Sequence, residues 1–320
     1  MEKNLESSYI VATEQQRVVR ECIENDDFEK AIKVLNIYNE EEIKKLFLDR
    51  NEIKELQGAA YYTLANILAQ DYKLTPKEAK IQQTFKIETD IEKAKICYRK
   101  SLKCGYGDSA NKLFQIYYKE NNFAKAHQIA EIGVDLGDVK SYYNMGKLFY
   151  EGKGTKQNYR QARQFFEVSF NENGRYGGYQ LGIMYELGLD VSVNQSKALE
   201  YFYGAAECGD ALACFKMGGI LSGFYDGKYT CIKKNPQAAI EYYTFYLTHC
   251  NASKRTNALR SIAMIEAKSK NVKDRNNGQR KLLRLAKRGD QPSNDALAEQ
   301  TPYGKLEKES RPVDLSFLNV

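Results

Sequence analysis

The 320-residue chain has no tryptophan, two histidines, five prolines and no long apolar run. Each scarcity excludes something. A Ser/His/Asp or Cys/His machine would have to use His127 or His249, and neither has a partner at a telling spacing. No stretch approaches the roughly 20 apolar residues of a membrane-spanning helix. Met1 to Val11 holds acidic residues and only a short apolar run from Tyr9 to Ala12, so no secretory signal is expected there. A cytoplasmic location is the default, with export by a route that needs no signal peptide left open. The seven cysteines, at 22, 97, 104, 208, 214, 231 and 250, are odd in number and follow no period, which favours reduced thiols over a disulfide framework. Cys208, Cys214, Cys231 and the His249-Cys250 pair contain no Cys-x2-Cys step, so a zinc site is not expected. Gly152-Lys-Gly154-Thr lacks the spacing of a phosphate loop. No catalytic residue, metal ligand or cofactor stands out, and an enzyme is not the expected reading.

What is present is repetition. Gly146, Gly182 and Gly218 follow one another at 36-residue steps inside Asn-Met-Gly146, Gln-Leu-Gly182 and Lys-Met-Gly218, with Phe149, Tyr185 and Leu221 three residues on. A second motif recurs more widely, an Asp or Asn four residues before an alanine: Asp27/Ala31, Asp90/Ala94, Asn122/Ala126, Asn158/Ala162, Asn194/Ala198 and Asn235/Ala239. Each reads as a helix start, because the side-chain oxygen accepts from unpaired first-turn N–H groups and Pro236 falls where a first-turn proline costs nothing. Asn277-Gly-Gln-Arg-Lys281 reads as a seventh, degraded copy. The alanine spacings of 63, 32, 36, 36 and 41 make the array regular from about residue 90 to 250 and irregular before it. Two helical patterns per period of this size predict an all-α solenoid of about six to seven helix pairs, each packed on its neighbours.

Within a pair, Tyr142, Met145, Gly146 and Phe149 recur at three- and four-residue steps and define one apolar helix face. The glycine shortens the distance to a second helix, against a propensity cost of up to about 1 kcal/mol. Phe165-Phe166, Tyr201-Phe202 and Tyr242-Tyr243 follow the alanines by three and four, so these rings are expected to fill the core.

Ser141-x3-Met145-Gly146-x2-Phe149-x2-Gly152 and Gly177-x3-Leu181-Gly182-x2-Tyr185-x2-Gly188, each followed by Asn-x3-Ala and an aromatic pair, resemble the Sel1-like repeat, a relative of the tetratricopeptide repeat. The resemblance covers roughly residues 108 to 250. Residues 107 to 137 lack the glycine-rich insert and look like a plain tetratricopeptide unit, while the unit beginning at Gly209 carries extra residues between Tyr225 and Lys234. The resemblance implies a right-handed αα superhelix that binds proteins or peptides, often as an adaptor, and implies no reaction. In such units the first helices line the concave face. Two residues after the small residue of each first helix (Ala60, Ala110, Ser141, Gly177, Ala213) stand Tyr62, Lys112, Tyr143, Tyr179 and Phe215. Positions six and nine after it add Lys147, Ile183, Tyr150 and Glu186. Tyrosines flanked by lysines suit a peptide of mixed apolar and acidic character. The other reading of these rings is that they cover the repeat interface.

The expected organisation is an irregular helical segment over 1–89, regular repeats over 90–250, a basic capping repeat over 251–290 and a proline-containing extended tail over 291–320 with Pro292, Pro302 and Pro312. Lys254 to Arg288 holds 12 Lys or Arg against two acids, a local excess of 10 in a chain whose net charge is +6. Arg280, Lys281, Arg284, Lys287 and Arg288 form its densest part. They suit the polar outer face of a terminal repeat, or contact with an acidic protein surface or, less favoured for want of aromatic stacking residues, nucleic acid. Val313 to Val320 is apolar enough to pack back on the last repeat or to serve as a recognition peptide.

Overall fold

The computed structural model describes residues 15, 17–35, 50–69, 74–225, 227–249 and 252–300, without the side chains of 50–53, 252–254, 294 and 297–300. The expectations for Met1 to Val11, Cys250, Pro302, Pro312 and 313–320 lie outside the described residues. The chain divides into two compact units, 1–165 and 166–320. Every regular element among the described residues is a helix.

Unit 1 holds α1 (17–24), α2 (Phe28–Val34), α3 (Arg50–Ala69), α4 (Pro76–Phe85), α5 (Ile91–Lys103), α6 (Asp108–Lys119), α7 (Phe123–Asp135) and α8 (Val139–Glu151). Sequential helices pack as antiparallel pairs, α3 on α5 and α6 on α7, with α7 on α8 joining one pair to the next. The long step from Ala31 to Ala94 has a simple cause: α4 is inserted between the partners α3 and α5. Thr75 and Glu78 close a capping box at its start, and Pro76 occupies its first position. The unit has one continuous core, from Val19 through Phe28, Leu64, Tyr98 and Leu113 to Leu148.

Helix α9 (Tyr159–Asn173) carries the boundary, and unit 2 continues with α10 (Gly178–Leu187), α11 (Gln195–Glu207), α12 (Ala211–Ser222), α13 (Pro236–His249), α14 (Ala252–Ala267), α15 (Val272–Ala286) and α16 (Gln291–Gln300). Here α10 packs on α11, α12 on α13 and α14 on α15. All six expected caps form: Asp27, Asp90, Asn122, Asn158, Asn194 and Asn235 each accept a first-turn backbone N–H, and each dependent alanine is fully buried. Such a cap is worth about 1 kcal/mol. The same residues also close the inter-helix loops: the backbone N–H groups of Asn158, Asn194 and Asn235 donate to the carbonyls of Phe149, Tyr185 and Leu221, each at 2.9 Å.

The glycines keep the spacing the sequence implies. A Cβ on Gly182 would stand 2.4 Å from the Phe202 ring, and one on Gly218 would stand 3.0 Å from the Tyr243 ring. In both pairs the ring four residues after the alanine enters the space left by the glycine of the first helix. Phe166, Phe202 and Tyr243 are core, whereas Phe165, Tyr201 and Tyr242, one residue earlier, are only half-buried.

Two expectations are corrected at the C-terminal side. Asn277 caps nothing: it lies inside α15, whose cap is Asn271, accepting from the N–H groups of Lys273 and Asp274. The neighbouring Gly278 fills a close contact instead, since a Cβ there would stand 2.3 Å from the Ala267 nitrogen. The extended tail does not begin at 291. Residues 291–300 form α16, which packs on α15, with Ser293 and Ala296 buried. Pro292 sits in its first turn, where the missing N–H has no intrahelical partner to lose. Asp290 accepts from the Ser293 hydroxyl and pairs with Arg260 at 3.0 Å, fixing the turn into α16.

Candidate partner-binding faces

The five positions two residues after each small first-helix residue share one degree of exposure. Tyr62, Lys112, Tyr143, Tyr179 and Phe215 are all half-buried, while Ala60, Ala110, Ser141, Gly177 and Ala213 before them are buried. A helix that packs on its own partner and on the next first helix leaves one strip of this kind, neither core nor fully wet. In unit 1 α6 touches α8 directly, and in unit 2 α10 touches α12 and α12 touches α14.

In unit 1 the strip is polar and aromatic. Tyr62 lies edge-on to Tyr98 at 5.8 Å and beside Tyr106 at 5.1 Å. Burial, then the Asp108 carboxylate, pushes its hydroxyl up to about 12. Behind it runs a buried chain of hydrogen bonds: the Tyr98 hydroxyl donates to Asn66 at 2.7 Å, and the Asn66 amide donates to Glu78 at 2.9 Å. Glu78 also accepts the Thr75 N–H, so a cap at the start of α4 reaches the inner strip. Lys112 is brought down to about 8, first by burial and then by the nearby Lys140 ammonium. Lys140 itself pairs with Asp108 at 2.6 Å.

Lys147 and Tyr150 complete the strip on α8. The Lys147 ammonium stands 3.9 Å from the centre of the Tyr118 ring, a cation–π contact, and burial lowers its pKa. The Tyr118 hydroxyl donates to Glu151 and accepts from Lys153, which pairs with Glu151 at 2.9 Å. Tyr150 meets Tyr159 edge-on at 5.4 Å.

In unit 2 the strip is more apolar and partly consumed by packing. Tyr179 lies against Phe202 at 5.8 Å, Ile183 packs on the core, and Phe215 touches Tyr243 and Tyr246. Glu186 departs from expectation. It is 6% exposed and accepts from Lys216 at 2.9 Å and Lys228 at 2.6 Å, so it is an internal counter-ion and not a contact residue. Burial alone would raise its pKa; the hydrogen bonds from Lys228 and Lys216 outweigh that and hold the carboxyl below its ordinary value. At Lys216 burial wins and lowers the ammonium. Lys216 also lies 3.9 Å from the Tyr225 ring centre. Sequence reasoning missed this cluster because Lys228 comes from the extra loop residues, outside the repeat period.

Of the basic row, Arg280, Arg284, Lys287 and Arg288 are exposed, while Lys281 pairs with Glu266 at 2.6 Å. His127 packs edge-on against Phe149 and His249 stacks on Phe245 at 4.1 Å. Burial pushes the Cys97 and Cys214 thiols up to about 12, far from reactive. No group of three His, Cys, Asp or Glu among the described residues is arranged to hold a metal ion, and no described helix is long and apolar enough to cross a membrane.

The Sel1 repeat model matches residues 83–106, 139–171, 179–210 and 211–244. A Sel1 repeat protein from Oxalobacter formigenes superposes with a TM-score of 0.56 at 16% identity, covering 85% of this chain and 99% of that one. A protective antigen of uropathogenic Escherichia coli strains displaying an SLR fold gives 0.53 at 17%, covering 92% of this chain and 65% of that one. The protein therefore belongs to the Sel1 repeat family of tetratricopeptide-like helical repeats, with the all-α solenoid fold of antiparallel pairs. The matches pass over 107–138, which is α6, α7 and the turns around them, the pair without the glycine-rich insert. Repeats of this family typically mediate protein interactions, and the family is generally non-catalytic.

Proposed function

We propose that the chain is a protein-interaction scaffold that holds a polypeptide along the half-buried first-helix strips, with the unit 1 strip of Tyr62, Lys112, Tyr143, Lys147 and Tyr150 as its principal contact face. The supporting observation is the uniform half-burial of the positions two after each small residue. The small residue two positions earlier is buried in every case, and these five side chains stand between that core and the open surface. A row held between the two supplies contact area whose side chains are already ordered by their neighbours, so little entropy is lost on binding. The partner suited to unit 1 offers apolar side chains to the tyrosines and carboxylates to Lys112 and Lys147. Burying a carboxylate beside Lys112 would favour the ammonium form that burial disfavours.

Tyr179, Ile183 and Phe215 in unit 2 add apolar contact and less charge. The test is affinity capture from the native host with the intact chain and with Tyr143→Ala and Tyr179→Ala, singly and together. Loss of a partner from the double variant at unchanged helix content supports the reading; equal capture removes it. A second reading rests on the exposed Arg280, Arg284, Lys287 and Arg288, which would hold an acidic surface. Charge reversal there would then abolish binding and flatten its salt dependence.

A further inference from the structure

A separate site lies at the loop edge of unit 2. The connections 152–158 and 188–194 are equal in length and fold tightly back, so that a Cβ on Gly152 would meet Gln157 and one on Gly188 would meet Val193, each at 3.0 Å. The next connection, 223–235, is longer, and the one after it, 268–271, is shorter. The long loop uses Tyr225 and Tyr229 to cover Lys216 and Glu186, which leaves Phe224 outside, 79% exposed, the most exposed large apolar side chain described. The short loop leaves open the space that a full-length connection would fill. Between them is a cavity of about 710 Å³, with Phe224 at its mouth and Ile240, Tyr243, Met264 and Ile265 on its apolar walls. That volume lies within the roughly 300–1,000 Å³ of ligand-binding clefts.

The mouth is basic. Lys268 and Lys270 line it and are exposed. Lys234 approaches it through Gly223, whose added Cβ would stand 2.6 Å from the Lys234 Cε. Of the acids at the site, Glu266 is engaged by Lys281 and Asn277, and Asp274, exposed in the first turn of α15 where a carboxylate favours the helix dipole, offsets one lysine charge and leaves the rim with an excess of positive charge. An apolar cleft with an exposed phenylalanine and a lysine rim complements one kind of polypeptide.

We propose that this cavity takes an apolar side chain, of leucine, methionine or phenylalanine type, from a partner segment in which Asp or Glu flanks that residue. It shares no residue with the first-helix strips, although Phe215 touches its Tyr243 wall, and this cavity and the principal strip in unit 1 fail or stand separately.

The test is selection from a phage-displayed random peptide library on the full chain, followed by anisotropy titration of the enriched peptides with fluorescein labels. The expected consensus is an apolar residue bracketed by acids. Binding should weaken at least tenfold in Met264→Asp and several-fold in the exposed variant Phe224→Ser, which leaves the core intact. In Lys268→Glu/Lys270→Glu it should weaken and lose most of its salt dependence, while Tyr143→Ala should leave it unchanged. A consensus without acids, binding indifferent to Phe224→Ser and the lysine reversal, or binding lost in Tyr143→Ala would overturn the proposal. So would peptides that bind only a chain ending at residue 300, because the occupant would then be this protein's own 301–320.

Discussion

The pair α6–α7 and the pair α10–α11 solve the same packing problem with opposite side-chain assignments. In α10–α11 the first helix carries Gly182 and the second carries Phe202, whose ring fills the gap. In α6–α7 the matching positions are Gln115 and Ala130, and the bulk moves to the first helix as Phe114 and Tyr117, all but closed to solvent. The close approach moves as well, to Gly133 of α7, where a Cβ would stand 2.6 Å from the Ser141 Cβ and 2.8 Å from the Ala110 Cβ. The two pairs share caps and helix directions but not the glycine–ring lock. Helical repeats thus require a conserved distance between helices more than a particular residue at a particular place. The pair without the lock is also the pair that the family match passes over, 107–138, while the helices continue through it.

The largest expected effect concerns the polar cluster that unit 2 has and α6–α7 lacks. Glu186→Gln leaves the Lys216 ammonium buried beside Lys228 without a carboxylate, which should cost about 3 kcal/mol in a urea titration. A neutral result would show the ion pair to be idle. The sign with pH follows from the lowered Glu186 pKa: its contribution is present above the unfolded carboxylate value and is lost as pH falls through the folded one. The native chain should lose stability on acidification more steeply than the variant.

Next in size is the lock itself. Gly182→Ala forces a methyl into the Phe202 ring and should destabilise by about 2 kcal/mol despite alanine's better helix propensity. Gln115→Ala, at the matching position of α6, should stay within about 0.5 kcal/mol. Equal effects in thermal melts would mean that the two pairs do not differ as described. Removing a cap sharpens the comparison from the other side, since Asn194→Ala and Asn122→Ala should cost about 1 kcal/mol each. A marked inequality would show that the caps are not shared equally.

A separate effect, read only in the pH dependence, belongs to Lys112. Its folded pKa of about 8 lies below the ordinary lysine value, so the unfolded chain binds more protons between the two, and stability should rise with pH across that window. Lys112→Met should flatten that part of the stability–pH curve; an unchanged slope would place the titration elsewhere.

Much of the fold was legible because its signals are local. A cap and its alanine lie four residues apart, and a glycine and its ring recur at a fixed period. What was not legible depends on contacts outside that period. Glu186 has the position of a groove residue, but it is buried against Lys216 of α12 and Lys228 of the longer loop. Asn277 imitates a cap because Asn and Gly open many helices, while the true cap, Asn271, lies six residues earlier with Asp274 three residues beyond it. Pro292 suggested a tail because it stands with Pro302 and Pro312 in the last 30 residues, whereas the Asp290–Arg260 pair that fixes the turn joins residues 30 apart. Of the loop-edge cavity only the longer connection was legible, as extra residues between Tyr225 and Lys234; the short connection after α14 lies beyond the regular repeats and had no counterpart to be measured against.

The most direct measurement of the proposed binding face is amine footprinting of Lys112. With a pKa near 8 it should acylate faster at pH 8 than the exposed lysines of ordinary pKa, read by mass spectrometry of the native chain. If the unit 1 strip holds the partner, the captured complex should protect Lys112 and Lys147 while Lys268 and Lys270 keep their free-state rates. Unchanged labelling of Lys112 in the complex would contradict the account.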